Sequence, residues 1–424
     1  MSAFLTAVVE GDGNFPPDRP AGNPREDAPR SRSPVPSRAG KLWVRRLMLT
    51  EFRSYRSLEL DLTPRAVVLT GPNGAGKTNL LEALSFLTPG RGLRQAQLTK
   101  VARIGPGEEQ PGERCWAVAA RLETPTGEVD IGTGRDPAAR TGRQDRRIVH
   151  VDGAPQRGQA ALTEHLGIVW LTPEMDRLFQ NGSAGRRRFL DRLVYGLDRD
   201  HPGRVASYEH LLRERARLLR DRMEDEAWLD ALERRLAEKG VAIAAARREA
   251  VTRLDELTRT GAVAFPGARL ALAGDVDRWL DEAPALAVED RLHAALTASR
   301  AQDAETFRTA HGPHRSDLLV RHLGIGAPAE RCSTGEQKAL LIGLVLAQVR
   351  LLALARGAPP LLLLDEVGAH LDVERRAALF DLVAELGAQA WMTGTDRSLF
   401  EGLGDRAQYF DVRNSTLKSR GSES

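Results

Sequence analysis

Gly71-Pro72-Asn73-Gly74-Ala75-Gly76-Lys77-Thr78 lies between an apolar run, Ala66-Val67-Val68-Leu69, and a segment of helical propensity, Asn79-Leu80-Leu81-Glu82-Ala83-Leu84. The run before it is short and β-branched, as a buried strand is. Strand, glycine loop and helix form the context in which G-x-x-x-x-G-K-[ST] reads as a phosphate-binding loop. Its glycines let backbone N–H groups converge on phosphate oxygens, and the helix N-terminus adds its positive end. Lys77 is expected to reach the β- and γ-phosphates, and the Thr78 hydroxyl to ligate Mg²⁺. The alternative, a tight turn of no chemical purpose, does not explain why lysine and threonine both stand in register. The stretch points to a nucleoside triphosphate.

A second motif lies far downstream. Leu361-Leu362-Leu363-Leu364 runs into Asp365-Glu366, the pattern of a fully buried parallel strand ending in two carboxylates. Adjacent carboxylates in such a place repel unless a cation sits there. In a parallel sheet that end faces the ligand, as the phosphate loop does. Asp365 is expected in the Mg²⁺ shell and Glu366 as the group that orients or deprotonates the attacking water. Upstream, Ser333-Thr334-Gly335-Glu336-Gln337 opens a helix with the spacing of a capping box.

Composition sets the bounds. The chain has 424 residues, 28% charged and 42% apolar, with a formal net charge of +3. That describes a globular protein of more than one lobe, and the charge is too small to imply nucleic acid. Of 61 basic residues only six are lysine, a bias of genome composition more than of chemistry. Cys115 and Cys332 are far apart without ligand-spaced neighbours, so neither a disulfide framework nor a zinc site is expected. No signal peptide is evident. Ala339 to Ala355 is interrupted by Gln348 and Arg350 and reads as a core helix rather than a membrane span. A cytoplasmic location without membrane contact follows as the expectation.

The order of elements predicts an α/β head of mixed sheet, parallel at its core with antiparallel strands beside it. Residues 1–40, rich in Pro, Arg and Ser, read as a disordered tail. Residues 41–172 carry the first half of the head, including alternating strands before the loop and between Cys115 and Val151. Residues 173–310 read as an inserted helical lobe, its leucines partly heptad-like and interrupted at Gly240. Residues 311–412 complete the head, and 413–424 read as a polar tail. From Arg186 to Lys239 there are 14 basic and 12 acidic residues, a solvated surface more than a basic stripe. Arg186, Arg187 and Arg188 either grip DNA phosphates or form a charged first turn.

Taken with their order, these motifs resemble the ABC and SMC head class, and within it the RecF family of bacterial recombination-repair ATPases. The carriers are Phe52-Arg53-Ser54-Tyr55-Arg56, Gly71 to Asn79, Pro173-Glu174, Arg186 to Asp191, Gly312 to Asp317, Ser333 to Lys338 and Asp365 to Asp372, from about Leu42 to about Val412. The resemblance implies a compact helical second lobe and ATP-dependent homodimers on double-stranded DNA near single-strand gaps. It implies slow, DNA-stimulated hydrolysis that releases the DNA, and cooperation with RecR and RecO in loading RecA. By position, Arg53 is expected to approach the phosphates. Ser333, Gly335 and Glu336 would act on the nucleotide of a second subunit, and Asp372 would lie in the loop linking the two sites.

Three departures stand out. Thr393-Gly394-Thr395-Asp396 occupies the place of a switch histidine, no glutamine is assigned to the metal-sensing loop between Trp170 and Asp176, and Ser316 replaces a frequent aspartate. The alternative is an ABC-type ATPase subunit of another system. A transporter subunit lacks so long an insertion, however, and an SMC or Rad50-like tether needs a longer coiled coil. A nuclease of the overcoming-lysogenisation type needs a further domain, and a small-molecule kinase has no use for the Ser333 helix.

Overall fold

A computed structural model describes residues 40–105, 114–136, 146–221, 225–261 and 264–420. The expected tail before residue 40 lies outside them.

The sheet that carries the motifs has six strands. In spatial order they are Thr416–Arg420, Ala407–Arg413, Ala66–Thr70, Ala390–Gly394, Leu361–Leu364 and Ile168–Leu171. All pairings are parallel except the hairpin formed by the first two. Leu361 to Leu364 are buried throughout, which is why an unbroken apolar run rather than alternation marks a strand covered on both faces. The polar end of the chain differs from expectation. Thr416–Arg420 is a strand, because Asn414 and Ser415 adopt positive φ and turn it back onto Ala407–Arg413.

A second, antiparallel sheet orders Tyr55–Asp61, Trp43–Phe52, Ala117–Thr124, Gly127–Arg135, Arg147–Val151 and Ala154–Pro155. The helix that follows the phosphate loop, Lys77–Ser85, reaches it at its C-terminal end. There Phe86 meets Trp116 at 4.9 Å and Phe52 at 5.9 Å between ring centroids, a cluster worth about 0.5–1.5 kcal/mol per pair beyond its burial. Gln389 ties the two sheets together, accepting from the Val44 N–H at 2.9 Å and donating to the Thr63 carbonyl at 2.9 Å.

The inserted segment is helical, with Ser183–Leu197, His201–Arg220, Glu226–Thr258, Asp275–Glu282, Ala285–Ala298 and Arg300–Thr306. It also contains a strand that the leucine pattern did not reveal. Ala268–Ala273 pairs antiparallel with Asp317–His322. The 33-residue helix Glu226–Thr258 spans roughly 50 Å and serves two cores. Ala250, Val251 and Leu254 belong to the main core. Leu229, Leu232 and Leu236 pack with Leu211, Leu218 and Leu292 in a smaller one. Gly240 interrupts the leucine pattern but not the helix. A Cβ there would come within 3.2–3.3 Å of Leu292, Tyr208 and Pro313, so the position is kept small by close packing.

The long apolar stretch is the core helix expected. Thr334–Arg356 is apolar enough by length and composition to cross a membrane, yet most of it is buried inside the protein. Cys115 and Cys332 are both free.

Candidate nucleotide site

The phosphate loop turns at Gly71, Gly74 and Gly76, all with positive φ. Two of these are demanded by neighbours. A Cβ on Gly71 would stand 2.2 Å from the Val412 carbonyl oxygen, and one on Gly76 would stand 2.8 Å from the Tyr55 hydroxyl. Tyr55 in turn donates to the Gly76 carbonyl at 3.1 Å. Around Gly74 a Cβ meets nothing within 4 Å, which leaves room where the loop N–H groups converge. Pro72, Asn73 and Gly74 are exposed, whereas Ala75 and Gly76 are buried.

Lys77 is 4% exposed. Its ammonium donates to the carbonyls of Gly71 at 2.6 Å and Pro72 at 2.9 Å. Burial pulls its pKa below the usual lysine value, and the charges of Glu366 and Asp365 partly oppose that. The ammonium therefore lies over the loop within the field of both carboxylates.

The two motifs meet. The Thr78 hydroxyl donates to Asp365 Oδ1 at 2.9 Å and lies 3.2 Å from Oδ2. From the strand between them, Thr393 donates its hydroxyl to Asp365 Oδ1 at 2.7 Å and accepts the Glu366 N–H at 2.9 Å. Glu366 is half-buried with φ +52°, a conformation that non-glycine residues adopt rarely and mostly where function requires it. A hydroxyl oxygen beside a carboxylate is the hard-oxygen donor set that suits Mg²⁺. Thr78 and Asp365 therefore fit that ion.

Some expected residues are placed otherwise. Arg53 does not point freely toward the loop. Its guanidinium is forked onto Glu82 at 2.8 and 2.6 Å and donates to the Lys100 carbonyl at 2.8 Å. Glu82 lies within the loop helix, its side chain fully buried, and it also accepts from Arg94 at 2.9 Å. Arg94 reaches Asn79 Oδ1 at 2.8 Å as well, and Asn79 donates to Ser54 at 2.9 Å. Arg53 thus holds the loop helix through Glu82. The reason is that a buried carboxylate requires paired cations.

Of the three arginines read either as DNA contacts or as a charged first turn, two are occupied within the protein. Arg186 is forked onto Asp317 at 2.7 and 2.8 Å and donates to the carbonyls of Leu178, Phe179 and Asn181. Arg187 donates to Ser183 Oγ and to the Ser316 carbonyl, both at 2.7 Å. Only Arg188 is exposed. Ser316, the departure from the family's aspartate, donates its hydroxyl to the buried Asp277.

The Ser333 helix begins as expected. Ser333 and Glu336 form a capping box, with the Ser333 N–H donating to Glu336 Oε2 at 2.8 Å. Ser333 and Gly335 are exposed, and nothing lies within 4 Å of a Cβ at Gly335. This helix start is tied to the loop after Ile168–Leu171 through Lys338 and Asp176 at 3.0 Å. In the sheet that edge is three strand spacings from Ala66–Thr70, or roughly 14 Å at about 4.8 Å each. The serine-led turn and the phosphate loop are thus separated within one chain. Asp372 caps the helix Val373–Leu386, accepting the Arg375 N–H at 2.7 Å.

Comparison with known proteins agrees with this geometry. The RecF/RecN/SMC N terminal domain family matches residues 43–418. The chain is 51% identical over 378 residues to the DNA replication and repair protein RecF of Mesorhizobium japonicum, covering 88% of this chain and 97% of that one. It is 50% identical over 376 residues to its counterpart in Rhizobium meliloti, covering 88% and 98%. Among solved structures, the recombination mediator protein RecF bound to ATP in the RecFOR pathway aligns with a TM-score of 0.74 at 21% identity, over 90% of this chain and all of that one. An Smc head bound to the winged-helix domain of ScpA aligns at 0.51 and 16% identity, over 90% and 98%, a likeness of fold. With its motif order, its two sheets and relatives matched over nearly their whole length, this chain belongs to the RecF family of DNA replication and repair ATPases.

Proposed function

We propose that the chain is an ATP-driven switch that dimerises on double-stranded DNA near single-strand gaps and releases it on slow, DNA-stimulated hydrolysis. The observation that carries this reading is the separation within one chain of two nucleotide-facing motifs. The loop with Lys77, Thr78, Asp365 and Glu366 lies at the centre of the sheet, and the exposed Ser333–Gly335 turn lies beyond its edge. A second copy would bring its turn over the first copy's loop, with Ser333 and Gly335 presenting the helix N-terminus to the γ-phosphate. Asp372, six residues after Glu366 and the cap of the helix Val373–Leu386, would lie along the seam.

Within each site, residues 71–79 would cradle the phosphates through backbone N–H groups, and Lys77 would leave the carbonyls of Gly71 and Pro72 for the β- and γ-oxygens. Thr78 and Asp365 would hold Mg²⁺, which supplies charge neutralisation between the β- and γ-phosphates. Glu366, aimed by its left-handed backbone and by Thr393, would orient the attacking water and take its proton. Thr393 stands where a switch histidine is absent and joins the Asp365 carboxylate to the Glu366 backbone N–H, so that it would hold the two residues in register.

The names of the relatives and the pathway named for the solved RecF support a role in DNA replication and repair. Cooperation with RecR, RecO and RecA in the cytoplasm is proposed on the family resemblance. Size-exclusion with light scattering, on the pure protein with ATP, with duplex and with both, tests the clamp. A dimer that needs ATP is expected. A monomer under every combination would overturn the reading.

A further inference from the structure

With Arg186 and Arg187 occupied within the protein, the question is where a phosphate backbone would lie. The turn after the loop helix borders a cleft of about 860 Å³. Its lining carries three arginines, Arg91, Arg146 and Arg157, and one carboxylate, Asp136. The three arginines are exposed and form no ion pair among the described residues. Between Glu82 and Glu108 the sequence has four cations, Arg91, Arg94, Lys100 and Arg103, and no carboxylate.

Arg147 forms the floor. It is 7% exposed and is bound only by neutral acceptors. It donates to the carbonyls of Thr88 at 3.1 Å, Gly90 at 2.9 Å and Phe86, to Gln159 Oε1 at 3.0 Å, and to Thr133 Oγ1 at 2.6 Å. With burial uncompensated by a carboxylate, its pKa falls to about 9. A buried charge of this kind is normally paired. Three of its acceptors are carbonyls of the helix cap, Phe86, and of the turn after it, Thr88 and Gly90, so the charge is fixed to the end of the phosphate-loop helix and its exit turn.

We infer that this cleft binds the phosphate backbone of duplex DNA and that Arg147 couples it mechanically to the phosphate loop. The inference rests on the duplex-binding reading above and gives it a location. Guanidinium groups from separate elements, with glutamine and threonine between them (Gln97, Thr99, Gln156), are the donor set used on phosphates and sugars. Leu98 and Ile148 also line the cleft, and the poly-glutamate arm of the test below separates duplex from a protein partner. Nothing in it reads base edges, so binding there is independent of sequence. A phosphate above Arg147 would draw the guanidinium away from the Phe86, Thr88 and Gly90 carbonyls, and so alter the end of the loop helix.

The test is duplex binding by full-length protein with ATP, followed by fluorescence anisotropy across a salt series. For Arg91→Ala/Arg157→Ala we expect at least about tenfold weaker binding, and a fall of about two in the slope of log K against log salt, about 0.9 for each lost phosphate contact. The control pair Arg213→Ala/Arg217→Ala, exposed on the helical lobe, is expected to keep the wild-type slope. An unchanged slope in the cleft variant overturns the location. Poly-glutamate binding to the wild type as tightly as duplex, and losing as much in the cleft variant, overturns DNA as the occupant in favour of an acidic protein. Wild-type dimerisation with ATP alone is read in the same buffers. Loss of duplex binding with dimerisation intact thus separates failure of the cleft from failure of the clamp.

Discussion

Thr393 ties the Asp365 carboxylate to the backbone of Glu366, donating to Asp365 Oδ1 at 2.7 Å while its oxygen accepts the Glu366 N–H at 2.9 Å. It is fully buried, so neither contact is replaced by water. Thr393→Val keeps the shape and removes both bonds. ATP turnover should fall by roughly ten- to a hundredfold, as for other groups that orient a metal-bound carboxylate, while ATP-induced dimerisation persists. Turnover within twofold of wild type would show that Thr393 has no part in aligning the pair.

Glu366→Gln should keep nucleotide binding and lose water activation, for a drop of about 10²–10⁴ in turnover, and the ATP dimer should accumulate on DNA. Lys77→Ala should abolish ATP-induced dimerisation. Steady-state turnover and light scattering check both, and wild-type hydrolysis by the glutamine variant would remove Glu366 from its role.

Glu82 is a buried carboxylate between Arg53 and Arg94, whose side chains are 20% and 37% exposed. Because both cations keep some access to water, Glu82→Ala should cost about 2 kcal/mol rather than the ~3–5 of a fully buried pair. Urea denaturation measures it. The nucleotide Kd should weaken in parallel, since Glu82 is the residue of the loop helix that Arg53 and Arg94 share.

Gly240→Val should destabilise by about 1–3 kcal/mol through overpacking against Tyr208, Leu292 and Pro313, despite the better helix propensity of almost any residue over glycine. A stabilised variant in thermal denaturation would mean that the neighbours yield easily.

His314 is half-buried, accepts from Tyr208 at 2.8 Å and donates to the Thr309 carbonyl at 3.0 Å. Burial pulls its pKa to about 4. The unfolded chain, near 6.5, binds more protons than the folded one between those values, so stability rises with pH across that window. It is complete above about pH 6.5 and lost as pH falls toward 4, by up to roughly 3 kcal/mol. His314→Asn should flatten the stability profile between pH 4 and 6.5, and an unchanged profile would assign the slope to other groups.

The loop, the Asp365 strand and the Ser333 helix were legible because each is a contiguous pattern with local physics. The contacts between them were not. Thr393 was noticed only as the place of a missing histidine, since its partners come from a neighbouring strand. Arg186 looked available for DNA because Asp317 lies 131 residues away, and Arg53 looked free because Glu82 lies 29 residues on, in the loop helix. Gly240 read as an interruption because local spacing carries no information on what packs against a helix. The strand Ala268–Ala273 was lost among helices, its pairing partner lying beyond three of them.

The position of Ala66–Thr70 in its sheet bears on how the polypeptide is made. Leu69 pairs with Thr393 on one side and Phe410 on the other, so neither neighbour exists when this strand leaves the ribosome. At about 5–20 residues per second, more than 300 residues of synthesis leave both its edges open for roughly 15–60 s. A nascent chain in that condition needs its apolar strand shielded, and a truncation before Ala390 never closes the sheet at all.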